Sequence, residues 1–398
     1  MWKAFEDMRQ KKLKKDRKKR IRCSFVLLCV LFSILFAGCQ KNVSKEEDTA
    51  GEQKDPIQEQ IEQMSLEEKV AQLFMITPEQ LTGYGQVVQA GEATQKALQE
   101  YPVGGLIFFS QNIEGEEQLK TMLTDLKKIN ASVQELPLFL GIDEEGGQVA
   151  RIANSGKCNV KKIPNLSTLQ GKEEVYESAS YIGSYLDRYG FNVDFAPLAD
   201  ISDETTSAAI KYRAFGSDPK EVSTKVNAYL RGLEEEHILG AVKHFPGQGA
   251  VKQDTHVESG YIEKSFEEMK ESDLYPFQQA IDKDVPFIMV SHMIPGGKDS
   301  KELPSSMNEK VMTQLLREEM GYRNLIITDA FNMEAITKYY PASKAATQAI
   351  KAGADIILMP SDFKEACEGV IEAVQEGEIS EKRIDESIKR ILTIKKRE

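Results

Sequence analysis

Eight short apolar runs, rich in β-branched and aromatic residues, recur along the chain and are separated by longer stretches with helical periodicity. They fall at residues 72–76, 105–109, 138–142, 192–196, 239–243, 287–291, 325–328 and 355–359. The runs are almost continuously apolar rather than alternating. Strands of that kind are buried on both faces, which calls for a parallel sheet covered by the intervening helices. Amphipathic segments at 116–130, 220–236, 310–320 and 343–352 supply that cover. Eight such units in roughly 340 residues favour a (β/α)8 barrel over a doubly wound sheet. Local signals agree: Ser65 and Glu68 form a capping-box pattern ahead of Val70, and Gly353 stands where a helix should stop before the last strand.

A parallel barrel collects its chemistry at the carboxyl ends of its strands. Asp143 closes the third run, Asp200 follows the fourth, Lys243 and His244 close the fifth, His292 the sixth and Asp329 the seventh. Charged residues scattered at random would spread over both rims and the helix faces. Their regular recurrence after the runs predicts an active site on that rim.

The first 56 residues read differently. Residues 1–22 carry eleven Lys/Arg against three Asp/Glu, and an uncharged stretch to Cys39 follows. The pattern has the dimensions of a secretory signal, and its apolar part is short for a membrane span. Leu35-Phe36-Ala37-Gly38-Cys39 resembles a bacterial lipoprotein box. Residues 1–38 are therefore expected to be a signal peptide and Cys39 a lipidated first mature residue, holding the protein at the membrane outside the cytoplasm. The competing reading is an uncleaved anchor helix. Residues 39–56, polar and without apolar periodicity, read as a flexible tether, and 57–398 as the barrel domain. The formal net charge of −12 becomes about −20 without the leader, which argues against nucleic acid or anionic lipid as partner. Cys158 and Cys367 are left in the domain; a disulfide between them is allowed but not required. The lack of a CxxC pair speaks against structural zinc.

The segment Lys243-His244-Phe245-Pro246-Gly247-Gln248-Gly249 is followed by Asp254-Thr255-His256. A basic pair ending an apolar run, a glycine turn, and a carboxylate two residues from a histidine suit proton transfer near neutral pH. Upstream lies Gly141-Ile142-Asp143-Glu144-Glu145-Gly146-Gly147-Gln148-Val149-Ala150-Arg151, whose glycines let backbone approach a ligand closely. Lys211-Tyr212-Arg213-Ala214-Phe215-Gly216 and Leu325-Ile326-Ile327-Thr328-Asp329-Ala330-Phe331-Asn332-Met333 complete the set. His244, Asp254 and His256 are also metal-ligand types, but the HExxH spacing is missing and Lys243 would repel a cation, so no metal is expected.

In their order along the chain these motifs resemble glycoside hydrolase family 3, specifically its single-domain β-N-acetylglucosaminidase branch. The resemblance implies that Asp329 is the nucleophile of a retaining reaction. It makes His256, oriented by Asp254, the general acid and base. It gives Asp143, Arg151, Arg213, Lys243 and His244 to the sugar. Gln148 stands where that branch commonly has Arg. His292 and Asp200 are as readily rim supports as ligands. With the sequence ending at Glu398, soon after the eighth run, the acid/base is expected on the barrel itself.

The expected activity is an exo-acting β-N-acetylglucosaminidase that removes terminal GlcNAc from peptidoglycan fragments or chitin-type oligosaccharides, with no cofactor and as a monomer. Two alternatives stand beside it. One is a phosphorylase on the same site, since a histidine repels attacking phosphate less than a carboxylate does. The other is a lipoprotein that binds sugar without turning it over.

Overall fold

The computed structural model describes residues 55–203, 206–248 and 260–397. Cys39, Asp254 and His256 lie outside them. Asp55 caps the helix Pro56–Gln63, accepting from the Ile57 N–H.

Eight strands follow: β1 (Phe74–Ile76), β2 (Gly105–Phe108), β3 (Phe139–Ile142), β4 (Val193–Asp194), β5 (Leu239–Phe245), β6 (Phe287–Val290), β7 (Leu325–Thr328) and β8 (Ile357–Leu358). They lie in the order β7-β6-β5-β4-β3-β2-β1-β8, every neighbour parallel. A parallel bridge between Ile327 and Ile356 joins the two ends, with Thr328 N–H donating to the Ile356 carbonyl at 3.0 Å. The sheet thus closes as a (β/α)8 barrel, with each expected run supplying one strand. β4 and β8 are shorter than their runs, because Phe195 and Asp355 to Ile356 leave the regular ladder while remaining buried.

The helices cover the outside as their apolar periodicity demands. Glu116–Val133 buries Leu119, Met122, Leu123 and Leu126, and Ala342–Ala352 buries its alanines and Ile350. The Ser65–Glu68 capping box forms, and Gly353 ends its helix at φ 119°, a conformation that favours glycine. Inside the barrel, a Cβ on Gly141 would stand 2.6 Å from the Met75 methyl and 2.8 Å from the Phe195 ring. Space there is filled by neighbours, as in a packed core.

The amino-terminal end of the barrel is tied shut. Asp355 is fully buried and meets Arg317, Arg390 at 3.0 Å and the Ser387 hydroxyl at 2.7 Å. Burial raises its carboxyl, but the three guanidinium groups of Arg317, Arg390 and Arg383 outweigh that and hold it below the usual range. Lys395, from the last helix Glu381–Lys395, donates to the Gln72 side chain at 2.9 Å and lies 5.0 Å over the Phe139 ring. Cys158 and Cys367 are separate buried thiols, so the disulfide that the sequence allowed is not made. Among the described residues no helix is long and apolar enough to cross a membrane.

Candidate active site

The opposite, carboxyl-terminal rim opens into a pocket of about 550 Å³. Asp143, Arg151, Arg213, Lys243, His244 and Asp329 all line it, from loops and strand ends far apart in sequence. Six of the expected site residues therefore converge.

The centre of the arrangement is Lys243. Its ammonium lies 2.9 Å from Asp143 Oδ1 and 2.7 Å from Glu145 Oε1, with almost no solvent contact. Arg151 reaches the other oxygen of Asp143 at 3.1 Å, while its guanidinium lies 5.2 Å over the Phe109 ring. Arg213 grips Glu145 through Nε at 2.8 Å and Nη2 at 2.6 Å. Burial disfavours each of these charges, yet their mutual attraction wins. Lys243 and Arg213 are held protonated above their ordinary values, and Asp143 and Glu145 ionised below theirs. The result is a rigid clamp of alternating charge, well suited to sugar hydroxyls, which donate and accept at once.

Local backbone explains the placement. Glu144–Gly146 forms a short irregular strand that pairs with Val149–Ala150. Side chains alternate along such a segment, so Asp143 and Glu145 both reach Lys243 and Glu144 points away. Glu144 accepts from the Ile152 and Ala153 N–H groups at 2.8 and 2.9 Å and from the Tyr185 hydroxyl at 2.8 Å, which fixes the turn carrying Arg151. Burial nevertheless pushes the Glu144 carboxyl up. On β5, Val242 pairs with Ile288 but Phe245 with Val290, so one extra residue is inserted where Lys243 and His244 stand. A bulge of this kind redirects side chains, and both residues line the pocket. The peptide between them is cis.

His244 Nδ1 is 2.7 Å from Asp200 Oδ2, and the other Asp200 oxygen accepts from the Gln248 N–H at 2.6 Å. Asp200 is wholly buried, so it orients His244 rather than meeting substrate. His292 is buried between the Ser306 hydroxyl at 2.8 Å and the Ala330 carbonyl at 3.0 Å, and supports the loop after β7. Of the two readings open for Asp200 and His292, both take the supporting role.

Asp329 follows directly on β7 and accepts from the Ala330 N–H at 2.7 Å. Burial raises its carboxyl, but the imidazoles of His292 and His244, that N–H and Lys243 together pull it below the ordinary value. An ionised carboxylate on a pocket wall, with charged donors opposite, is what nucleophilic attack at a sugar carbon requires. Asp254 and His256 are not among the described residues, so their geometry does not enter here. No cluster of His, Cys, Asp and Glu suited to a metal occurs among the described residues.

The sequence reading missed Glu145, although its spacing of two from Asp143 on an extended segment was a usable signal. Phe109, Gln248, Asn332, Met333 and Met359 also line the pocket, from four loops. Gln248, Asn332 and Met333 fall within the motifs named above but were given no role, and Phe109 and Met359 have no local pattern to mark them. Gln148 lines the pocket mouth and is exposed.

Residues 65–394 match the glycosyl hydrolase family 3 N-terminal domain. The chain belongs to glycosyl hydrolase family 3. It carries that family's glycosidase barrel. Beta-hexosaminidase A of Pseudoalteromonas piscicida is 30% identical over 322 residues, 75% of this chain and 54% of that protein. The chain thus spans about half the length of that relative. Beta-hexosaminidase LpqI of Mycobacterium tuberculosis is 29% identical over 341 residues, 83% of each chain. Among solved structures, a glycoside hydrolase family 3 β-N-acetylglucosaminidase from Paenibacillus sp. str. FPU-7 superposes with a TM-score of 0.78 at 33% identity, covering 84% of this chain and 62% of that one. In this family 3 barrel the clamp and Asp329 stand at the ends of β3, β4, β5 and β7 and in their loops.

Proposed function

We propose that the protein is a retaining exo-β-N-acetylglucosaminidase acting on terminal GlcNAc of peptidoglycan fragments or chitin-type oligosaccharides. The observation that carries this reading is Asp329, kept ionised in a pocket whose other side is the Asp143–Lys243–Glu145–Arg213 clamp. The hexosaminidase relatives support the choice of sugar.

In the proposed reaction the clamp fixes the hydroxyls of the terminal sugar and presents its anomeric carbon to Asp329. The carboxylate attacks that carbon while the bond to the leaving oxygen breaks. His256, oriented by Asp254, gives the leaving oxygen its proton. The neutral imidazole then takes a proton from water, whose oxygen displaces Asp329 and releases the sugar with its configuration retained.

Release of 4-nitrophenol from its β-N-acetylglucosaminide tests the reading. Wild type should turn over, while Asp329→Ala and His256→Ala should lose about 10³-fold or more in kcat. Azide should rescue Asp329→Ala and give the α-glycosyl azide. Sugar-1-phosphate as the main product in phosphate buffer would replace hydrolysis by phosphorolysis. Unchanged complexes with GlcNAc oligomers and no turnover would replace it by binding.

For the whole chain the proposal includes cleavage of a signal peptide at 38, lipidation of Cys39, a tether to about residue 56, and a monomeric barrel held at the outer side of the membrane. Labelled palmitate incorporated by wild type but not by Cys39→Ala supports the anchor. A labelled Cys39→Ala protein would remove it.

A further inference from the structure

Asp194 stands inside an apolar run rather than at its end. It lies between Val193 and Phe195, and all three residues are fully buried. A carboxyl in that position must be met by donors or give up its charge. Other buried carboxyls of the barrel are met. Asp200 has the His244 ring and the N–H groups of His244 and Gln248. Glu145 has Lys243 and Arg213, and Asp355 has arginines, the Ser387 hydroxyl and the Ile326 N–H. Asp194 has one donor. Its Oδ1 accepts from the Glu144 N–H at 2.9 Å, while its Oδ2 is buried and has no partner among the described residues. The cations of the clamp, Lys243 and Arg213, are committed to Asp143 and Glu145.

That single bond leads to the clamp. Glu144 is flanked by Asp143 and Glu145 and begins the short strand that pairs with Val149–Ala150. The Glu144 carboxylate accepts from the Ile152 and Ala153 N–H groups, and the Arg151 N–H donates to the Asp143 carbonyl at 3.3 Å. Tyr185, on the helix Gly171–Tyr189, donates to the Glu144 carboxylate at 2.8 Å. Tyr229, on the helix Pro219–Glu234, donates to the Glu144 and Glu145 carbonyls at 3.3 and 3.2 Å. Asp194 ties this hairpin to β4, the neighbour of β3 in the sheet.

We propose that Asp194 is a positioning residue for sugar binding: as an uncharged acid it holds the hairpin that carries Asp143, Glu145 and Arg151 in register with Lys243 and Arg213. The proposal rests on the glycosidase reading above and adds to it a residue that lies outside the pocket lining. The groups facing Asp194 accord with the uncharged form. Burial raises its carboxyl well above the ordinary value, against the pull of the Glu144 N–H. The charges of Glu144 and Asp143 oppose ionisation, and Lys243 from β5 favours it without prevailing. Tyr185 and Tyr229, from the two covering helices, are themselves raised well above the ordinary tyrosine value and stay neutral. A buried hydroxyl without an acceptor costs far less than a buried charge without a partner.

The test uses the full-length protein and the 4-nitrophenyl β-N-acetylglucosaminide. Asp194→Ala removes the acceptor of the Glu144 N–H, so KM should rise about tenfold while kcat falls by less than about threefold. Asp194→Asn keeps a carbonyl for that N–H and an uncharged second arm, and should restore KM to within about twofold of wild type. The infrared difference between wild type and Asp194→Asn at neutral pH should contain the carbonyl stretch of an undissociated carboxylic acid. An unaltered KM in Asp194→Ala, or a KM raised as far in Asp194→Asn, overturns the positioning role. A carboxylate band in place of the acid band overturns the uncharged form. Should Asp194→Ala fail to fold, KM of Asp194→Asn and the infrared band decide. If the glycoside is not turned over, the glycosidase reading fails separately. Amide exchange over residues 144–153 then decides: exchange faster in Asp194→Ala and restored in Asp194→Asn supports the role, and equal rates in all three proteins overturn it.

Discussion

Arg213 and Glu145 meet through two parallel hydrogen bonds, on a carboxylate with no solvent contact. The pairing spans 68 residues of sequence and fixes the guanidinium plane before any sugar arrives. It also places the second oxygen-bound cation, Lys243, against the same carboxylate at 2.7 Å.

Removing Glu145 should therefore cost stability as well as binding. Glu145→Ala leaves Arg213 and Lys243 buried beside a missing partner, and breaking such a buried pair costs about 3–5 kcal/mol. Urea unfolding followed by circular dichroism checks the value. A loss within experimental error would mean that the clamp is not a fixed unit.

Arg213→Lys keeps the charge and removes the fork. A lysine cannot reproduce the two parallel bonds, so KM for the 4-nitrophenyl glycoside should rise about tenfold or more with a smaller change in kcat. Steady-state kinetics separate the two. An unchanged KM would exclude Arg213 from ground-state binding.

Asp329 governs the acid limb of kcat/KM. Its folded pKa is depressed, so the carboxylate stays ionised as pH falls past the ordinary aspartate value, and activity should persist to that point. His292 contributes most among the groups that oppose the upward push of burial. His292→Ala should move the acid limb to higher pH, because more of Asp329 is then protonated at a given pH. A pH profile of the variant whose limb stays in place would refute this coupling.

Asp194 predicts the opposite sign for stability. It is fully buried, one oxygen accepts the Glu144 N–H at 2.9 Å, and the other has no partner in the structure. Burial raises its pKa well above the ordinary value, outweighing the Glu144 N–H that stabilises the ionised form. A raised carboxyl contributes stability at pH values below its unfolded pKa, and that contribution is lost as pH climbs toward the folded one. Asp194→Asn should flatten this decline, leaving the variant the more stable as pH rises above the ordinary aspartate value. Melting temperatures taken from pH 4 upward test it; parallel curves for the two proteins would show that Asp194 does not titrate on unfolding.

The barrel was legible because a parallel sheet buries both faces of every strand. Each strand then leaves a continuous apolar run, and five of them end in residues such as Asp143, Lys243 or Asp329 that an apolar core would not tolerate further in. The exact ends of the strands were less well marked, since buried coil such as Phe195-Ala196 after β4 and Ile356 before β8 is as apolar as the strands. Asp143, Arg151, Arg213, Lys243, His244 and Asp329 were readable from motif order, and the pocket unites them. Cys39, Asp254 and His256 remain proposals of the sequence.

What the chain alone determined is the set of strands, their parallel cover of helices, and which rim would carry charge, because those follow from local periodicity and from the burial of continuous apolar runs. Tertiary structure decided the partners. Glu145 joins Arg213 and Lys243, Asp200 rather than a nearer carboxylate holds His244, and an inserted residue in β5 aims two neighbouring side chains into one pocket. Those choices depend on barrel closure, which brings groups far apart in sequence to distances where a buried charge must find its counter-charge or lose it.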